Sequence, residues 1–215
     1  MKILAVSDEE IPSIYGPGIK SRFSDAHIVI AAGDLNYSYQ EYIISMLDVP
    51  LYYVRGNHTP VVETTSGGTR SEPWGAVDLH RCIHRERHSG LLLAGVEGCL
   101  RYHKGAYQYS QFEMWLHVLR LVPGLLVNRV RYGRYLDIFV THAPAWGLGD
   151  DDDRPHWGIR AFRWLDRVFK PALHLHGHVR LLHSEIPRCI QFHDTRIINV
   201  HGYYEIQLPL PHKTK

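Results

Sequence analysis

Residues 27–34 read His-Ile-Val-Ile-Ala-Ala-Gly-Asp, a short apolar run that stops at a glycine and an aspartate. A run of this length, rich in β-branched residues and closed by a turn residue, indicates a buried strand. The same form opens the chain, where Lys2 to Ser7 leads into Asp8. Four further runs have it: Leu51 to Val54, Leu91 to Val96, Leu136 to Thr141 and Leu173 to His176. The sequence thus predicts several short buried strands.

Helical patterns lie between several of these strands. Tyr39 to Leu47 carries apolar residues at helical spacing, and Ser110 to Leu121 opens with a Ser-Gln-Phe-Glu capping box. We expect Pro123 to end or kink the second of these helices. Gly158 to Phe169 alternates apolar and charged residues as an amphipathic helix does. Strands that alternate with helices predict βαβ units and a largely parallel sheet.

The C-terminal third has a different pattern. Leu181 to Ile186, Arg196 to Val200 and Tyr203 to Leu208 follow one another with only turns between them, which favours an antiparallel meander. We therefore expect an α/β (α+β) chain with two packed sheets and helices outside. No internal repeat or break in composition divides the sequence, which predicts a single domain over residues 1–215.

Composition restricts the class of protein. The chain has 215 residues, 45% of them hydrophobic, and a net charge of +2, which is typical of a folded soluble domain and argues against nucleic acid as a partner. Cys82, Cys99 and Cys189 are odd in number and lie outside any CxxC motif, so we expect no disulfide framework and a reducing compartment. The apolar run from Ile3 to Val6 is too short for a signal sequence, and no run is long enough to span a membrane. These features predict a cytoplasmic protein that has no membrane association.

Metal-ligand residues follow five of the predicted strands. Ligands in open α/β sheets bind beyond the carboxyl ends of the strands, so these residues should meet at one edge. Carboxylate, amide and imidazole groups gathered in this way indicate a divalent transition metal, and the set admits Mn, Fe, Zn, Ni or Co. The five segments are Asp8, Gly33-Asp34, Gly56-Asn57-His58, Thr141-His142 and Gly177-His178.

Taken in order, these five segments resemble the signature of the calcineurin-like metallophosphoesterases, and the chain is similar to small prokaryotic members that have no cap domain. The resemblance implies a four-layer αββα sandwich of two mixed sheets and phosphoester hydrolysis at a dinuclear metal centre. It also implies that one metal is held by the four residues Asp34, Asn57, His142 and His178.

The second metal site departs from the family pattern. The resemblance implies that Asp8 and the shared Asp34 take part in it, with histidines at positions 10 and 180, but this sequence has Glu10 and Arg180 there. Glu10 can still offer oxygen, whereas a guanidinium is a fixed positive charge. If Arg180 points into the site, it is better suited to pair with Asp8 and Glu10 than to bind a metal. One metal site is therefore predicted, and the second stays open between an ion pair and a true metal site.

The resemblance implies that His58 protonates the leaving group or stabilises the transition state, a role that imidazole chemistry allows. Asp8 and Arg180 are the other candidate catalytic residues, the arginine as a clamp on substrate phosphate. We expect a metal-dependent phosphoesterase that acts on a small phosphate mono- or diester. The alternative is a catalytically impaired relative that binds a phosphorylated ligand or a partner protein. The sequence does not decide the oligomeric state.

Three further segments have open interpretations. The loop from Pro144 to Gly158 can reach over the metal, although its four aspartates are more typical of a solvated loop that caps the next helix. Arg55 and the segment from Arg101 to Lys104 are candidates for anion binding. His174 and His176 share one face of a strand, so we expect them to be packed or hydrogen-bonded there rather than to bind metal.

Overall fold

The computed structural model describes residues 1–181 and 187–209 of the chain. Within them, the helices are α1 Ile19–Phe23, α2 Tyr37–Leu47, α3 Gln111–Tyr132 and α4 Arg160–Phe169, with a 3₁₀ turn at Arg154–His156. The strands are β1 Lys2–Ser7, β2 Ile28–Ala32, β3 Leu51–Val54, β4 Glu63–Thr65, β5 Gly68–Arg70, β6 Ala76–Asp78, β7 Ile83–Arg85, β8 Leu92–Val96, β9 Cys99–Leu100, β10 Gln108–Tyr109, β11 Ile138–Thr141, β12 Leu173–His176, β13 Cys189–Phe192, β14 Thr195–Asn199 and β15 Gly202–Gln207.

Two mixed sheets dominate the fold. The first has the order β15-β1-β2-β3-β6, in which only β15 runs antiparallel to its neighbour. The second has the order β13-β14-β12-β11-β8-β7, with four parallel strands in the middle and an antiparallel strand at each edge. Small two-stranded pairs, β4 with β5 and β9 with β10, lie outside these sheets.

Alternation along the strands builds three apolar layers. In β1, Ile3 and Ala5 face the second sheet, whereas Leu4 and Val6 face the helices α1 and α2. In β8, Leu93 lies between the two sheets, and Leu92 and Ala94 face α3 and α4. A strand buried on both faces shows as a continuous apolar run, which is why these segments stand out in the sequence. The expected arrangement of two packed sheets with helices on the outside is confirmed.

The predicted C-terminal meander is wrong. β14 joins the second sheet, parallel to β12, and β15 pairs antiparallel with β1 at the edge of the first sheet. Residues 200 and 201 thus cross from one sheet to the other, and Gly202, with φ of 71°, reverses the chain at the start of β15. Residues 182–186 of the predicted strand Leu181 to Ile186 lie outside the described part.

Pro123 does not end or break α3, which continues to Tyr132 and closes on Gly133 in the left-handed conformation. The Ser110 capping box at its start is present, as predicted. A proline removes the hydrogen bond to the carbonyl four residues earlier, here that of Leu119. Both Leu119 and Pro123 are exposed, so water can satisfy that carbonyl, while buried residues before and after the proline hold the helix to the sheet. Tertiary packing thus outweighs the local preference.

Within the described residues, none of the helices combines the length and the apolar character that crossing a membrane requires.

Candidate metal centre

The carboxyl ends of five parallel strands meet at one edge of the sandwich. Asp8 follows β1, Asp34 follows β2, Asn57 follows β3, His142 follows β11, and His178 follows β12. Asp8, Asp34 and His178 have φ of 67°, 57° and 69°. This is the left-handed backbone conformation, which residues other than glycine rarely adopt. Such strain persists only where surrounding contacts enforce it, and it is concentrated at functional sites.

Four side-chain atoms converge at this edge. Nε2 of His142 lies 3.1 Å from Oδ1 of Asn57, 3.2 Å from Oδ2 of Asp34 and 3.1 Å from Nδ1 of His178. His142 is fully buried, and the other three side chains are nearly so. The structure thus brings together all four residues that the sequence predicts for one metal.

Hydrogen bonds behind the cluster decide which ring nitrogens face it. Nδ1 of His142 lies 2.8 Å from the carbonyl oxygen of Ala32, and Nε2 of His178 lies 2.8 Å from that of Pro155. Carbonyl oxygens only accept, so these two nitrogens carry the hydrogens. In the neutral rings, Nε2 of His142 and Nδ1 of His178 therefore present lone pairs to each other.

The cluster consequently contains four acceptors and no neutral donor. Such a set needs a cation between its members, and two imidazoles, a carboxylate and an amide oxygen suit a divalent transition metal. Ligands that each lie about 2.1 Å from an ion are separated by roughly 3.0–3.4 Å, and the three distances to Nε2 of His142, 3.1–3.2 Å, lie in that range. The residues present therefore fit a metal ion, and Asp34, His142 and His178 form a candidate metal site.

The charges around the cluster favour a cation as well. Burial raises the pKa of the Asp34 carboxyl, but His142 and the backbone N–H of His58 outweigh burial and lower it to about 2. Burial lowers the pKa of His142, whereas the carboxylates of Asp34 and Asp8 raise it to about 9. The same pair of carboxylates thus stabilises positive charge at Nε2 of His142, which either a proton or a metal ion can supply.

Two glycines beside the ligands are required by close approach. A Cβ atom at Gly56 would lie 2.7 Å from the backbone nitrogen of Asp34 and would overlap its carboxylate. A Cβ atom at Gly177 would overlap the Asp8 carboxylate and the Ser7 hydroxyl. The glycines before Asn57 and His178 are therefore required by the close packing of the carboxylates as well as by the turns.

Asp8 is a residue that the resemblance assigns to the second metal site, the site that the sequence leaves open. Both of its oxygens accept the backbone N–H of His178, at 2.9 and 3.1 Å, and its Oδ2 lies 3.4 Å from Nδ1 of His201. Burial raises the pKa of this carboxyl, but His201 and His142 outweigh it, so the net shift is downward. Nε2 of His201 lies 3.3 Å from Oε1 of Glu9. Asp8 and Glu9 together raise the pKa of His201.

The two residues that depart from the family pattern have different positions. Glu10 is exposed, its Oε1 accepts a hydrogen bond of 2.8 Å from the Asn36 amide, and it is not among the residues that line the cavity next to Asp8. Arg180 lines the same cavity as Asp8 and His201. Pairing of Arg180 with the acidic residues stays a prediction, and the imidazole that lies beside Asp8 belongs to His201.

The cluster lies at the base of an open cavity of about 700 Å³. His58 lines this cavity; its backbone N–H donates to Oδ1 of Asp34 at 2.7 Å, which ties the position of the exposed ring to that of a metal ligand. Tyr102 lines it too, and its hydroxyl accepts a 3.1 Å hydrogen bond from the Asn57 amide nitrogen. That bond leaves Oδ1 of Asn57 directed toward the cluster.

The loop from Pro144 to Gly158 lies beside the site, but its aspartates do not cap the next helix, since α4 begins after Ile159 with no side-chain cap. Asp151, Pro155 and His156 line the cavity. Asp153 caps the 3₁₀ turn, where its Oδ1 accepts from the backbone and ring nitrogens of His156. The loop thus forms one wall of the cavity, and one of its aspartates holds that wall in shape.

Two of the anion-binding candidates, Arg55 and Arg101, are engaged elsewhere. Arg55 forms ion pairs with Asp78 and Glu97, away from the cavity of the cluster. Arg101 pairs with Glu113 at 3.0 Å. From the segment that begins at Arg101, Tyr102 is the residue that faces the site.

His174 and His176 are buried and hydrogen-bonded, as predicted. The ring of His174 lies 2.8 Å from Oδ2 of Asp166 and 2.9 Å from Oγ1 of Thr141, and Nδ1 of His176 lies 3.0 Å from the carbonyl oxygen of Gly177. Neither belongs to the cluster.

Sequence reasoning missed three participants: the His201 imidazole, the Tyr102 hydroxyl and the Pro155 carbonyl. His201 comes directly after an apolar run, the same signal that identifies the other ligands, but the predicted meander places it in a turn. A backbone carbonyl such as that of Pro155 leaves no trace in the residue types.

No protein-family model matches this sequence, and no curated protein is similar to it in sequence. Solved structures nevertheless share its fold. One crystal structure aligns over 95% of this chain and 94% of its own, with a TM-score of 0.60 and 13% identity. The crystal structure of TT1561 of Thermus thermophilus aligns over 94% of this chain and 89% of its own, with a TM-score of 0.58 and 14% identity.

GAP50, the anchor in the inner membrane complex of Plasmodium, aligns over 93% of this chain and 70% of its own, with a TM-score of 0.51 and 12% identity. TT1561 has the calcineurin-like metallophosphoesterase fold. The two mixed sheets and outer helices of the present chain are the metallophosphoesterase sandwich of these neighbours.

Proposed function

We propose that this chain is a member of the calcineurin-like metallophosphoesterases that hydrolyses a small phosphate mono- or diester with one divalent transition metal. The observation that carries the proposal is the convergence of four acceptor atoms: those of Asp34, Asn57 and His178 each lie 3.1–3.2 Å from Nε2 of His142. These residues would hold the metal. When bound, it supplies an activated water and offsets charge on the phosphoryl oxygens.

The remaining groups of the cavity have separate tasks. His58 donates a proton from its imidazole to the departing alkoxide, and the hydrogen bond of its backbone to Asp34 supports the position of the ring. Tyr102 orients Asn57, and Pro155 orients His178. Such partners behind the ligands typically contribute about 10- to 100-fold to affinity or activity.

Positive charge for the substrate comes from His201 and Arg180, which line the same cavity as His58 and Asp34. The carboxylates of Asp8 and Glu9 favour the protonated form of His201. A fixed guanidinium at Arg180 offers bidentate contacts to phosphate oxygens. Asp8 acts through His201 and through the backbone of His178, so we assign it a positioning role.

The proposal is tested by loading the purified protein separately with Mn, Zn, Co and Ni and measuring hydrolysis of a nitrophenyl phosphate monoester and diester. We expect metal-dependent turnover of at least one ester, lost in Asp34→Asn and His142→Gln. His88→Gln is the matched control, because His88 is exposed in the turn before β8, at the opposite end of the parallel strands. Activity that survives both ligand substitutions would contradict the proposal.

A second candidate is a relative that binds a phosphorylated ligand or a partner protein without turnover. Glu10 and Arg180, at two positions where the family pattern has histidine, favour it. Calorimetric binding of inorganic phosphate to the metal-loaded protein, together with no hydrolysis of any ester, would support this candidate over the enzyme.

A further inference from the structure

The outer face of α3 is apolar. Ten residues of this helix are exposed, and seven of them are apolar. Phe112 is 70% exposed and Val130 is 88% exposed, at opposite ends of the helix. An exposed helix face normally carries charged residues, so a continuous apolar face indicates contact with another surface. We call these seven residues the α3 stripe: Phe112, Leu116, Leu119, Pro123, Leu126, Val127 and Val130.

The stripe is regular. Without Val127, its members follow one another at intervals of four, three, four, three and four residues, the repeat of a helix that packs against another helix. At 3.6 residues per turn, all seven positions fall within about 100° of arc. The inner face of α3, which includes Met114, Val118 and Leu121, is a separate row packed on the second sheet.

The spacing is also symmetric about the centre of the helix. If a second α3 lies antiparallel across the stripe, Phe112 meets Val130 of the other copy, Leu116 meets Leu126, and Leu119 meets Pro123. A two-fold interface requires such self-complementarity, because each contact must occur twice. A parallel arrangement would instead place every residue opposite itself.

Charge favours the antiparallel arrangement. Glu113, near the start of α3, and Arg131, near its end, lie on the same edge of the stripe, so each Glu113 comes beside Arg131 of the other copy, in addition to its ion pair with Arg101 of its own chain. The helix dipoles also oppose each other in this arrangement. In a parallel two-fold pair, the edge that carries Glu113 and Arg131 would lie on opposite sides of the interface in the two copies, so this ion pair could not form.

The size of the stripe indicates a weak dimer. A helix of 22 residues is about 33 Å long, so its face offers on the order of 350 Å² per copy. That is less than half of the ~800 Å² per partner of a standard interface. Arg120 of the two copies also meets near the two-fold axis, which opposes association. From the stripe, its symmetry and its end charges, we infer that α3 is a homodimer interface that forms an antiparallel helix pair at high protein concentration.

Sedimentation velocity from about 1 µM to about 500 µM tests this inference. We expect a concentration-dependent dimer for the full chain and a dissociation constant raised at least about tenfold in Leu119→Lys, which introduces two buried charges per dimer. Val168→Lys is the matched control: Val168 is an exposed apolar residue on α4, 42% exposed and outside the stripe, so this variant should dimerise like the parent. Leu119 is itself about half exposed, so its replacement should leave thermal unfolding little changed.

Cross-linking tests the direction of the helices. In a background with the exposed Cys82 and Cys189 replaced by Ser, single variants Phe112→Cys and Val130→Cys are mixed and oxidised gently. The antiparallel pair predicts disulfides between the two different variants in preference to either variant with itself. Disulfides within each variant would overturn the antiparallel geometry. A parent chain that stays monomeric throughout, or a Leu119→Lys variant that dimerises like the parent, would overturn the interface.

Discussion

A single methyl group at Gly177 tests how the metal centre is built. A Cβ atom there would lie 2.9 Å from Cβ of Ser7 and would overlap the Ser7 hydroxyl and the Asp8 carboxylate. Ser7 is fully buried, and Asp8 accepts the backbone N–H of His178 with both oxygens. Neither side chain can withdraw without losing contacts, so Gly177→Ala should displace Asp8.

The cost follows from these contacts. Loss of the hydrogen bond to a charged carboxylate costs about 1.5–3 kcal/mol, and overpacking of a closed site costs about 1–3 kcal/mol. We expect the free energy of unfolding to fall by about 3–5 kcal/mol, which for a domain of this length lowers the Tm by roughly 10 °C. Because His178 follows directly, metal affinity should also fall by at least about tenfold.

The matched control is Gly18→Ala. Gly18 has φ of −75°, and a Cβ atom there meets nothing within 4 Å, so the substitution should leave the Tm unchanged or raise it slightly. Thermal unfolding in a chelator measures the stability of both variants, and titration calorimetry measures their affinity for metal. If Gly177→Ala matches the parent protein in Tm and in metal affinity, the close packing of Asp8 against Gly177 does not stabilise the metal centre.

Four other outcomes follow from the site and its surroundings. Elemental analysis should give nearer one metal ion than two per chain, and two fully occupied ions would contradict the mononuclear centre. His58→Ala should keep the metal but lower turnover by about a hundred- to ten-thousand-fold, with a smaller loss on a nitrophenyl ester, which needs little protonation; equal losses on both kinds of ester would rule out the general acid. Arg180→His should take up a second ion by calorimetry, because it exchanges a fixed charge for an imidazole in the cavity that Asp8 also lines; no additional uptake would show that Arg180 lies outside a second site. Burial raises the pKa of Glu86, but hydrogen bonds from Ser89 and His88 outweigh it and lower the pKa below its ordinary 4.5. The stabilisation that the ionised Glu86 contributes is therefore complete above pH 4.5 and is lost as the pH falls. Glu86→Gln should reduce the loss of stability on acidification, measured by denaturant unfolding, and an unchanged pH dependence would exclude this role.

The sequence by itself determined the buried parallel strands and the polar residues that follow them. Buried parallel strands are short and apolar on both faces, so strands such as Ile28–Ala32 can be recognised in the sequence as continuous apolar runs. Parallel strands also bring their carboxyl ends to one edge, which is why residue types alone assign Asp34 and His142, 108 positions apart, to one cluster. The capping box at Ser110 could also be predicted from the sequence, because its contacts lie within one helical turn.

Only the tertiary structure decided how the rest is arranged. After β14 the chain crosses to the first sheet, where β15 pairs with the edge strand β1. This pairing is a long-range contact, and it places His201 beside Asp8. α3 continues past Pro123 because packing on the sheet outweighs one missing hydrogen bond. The carbonyl of Pro155 reaches His178 through the shape of a loop, and backbone groups are identical in every residue. Contacts within one helical turn and the apolar pattern of a strand can be predicted from residue types. Contacts between loops that are distant in sequence depend on how the whole domain packs.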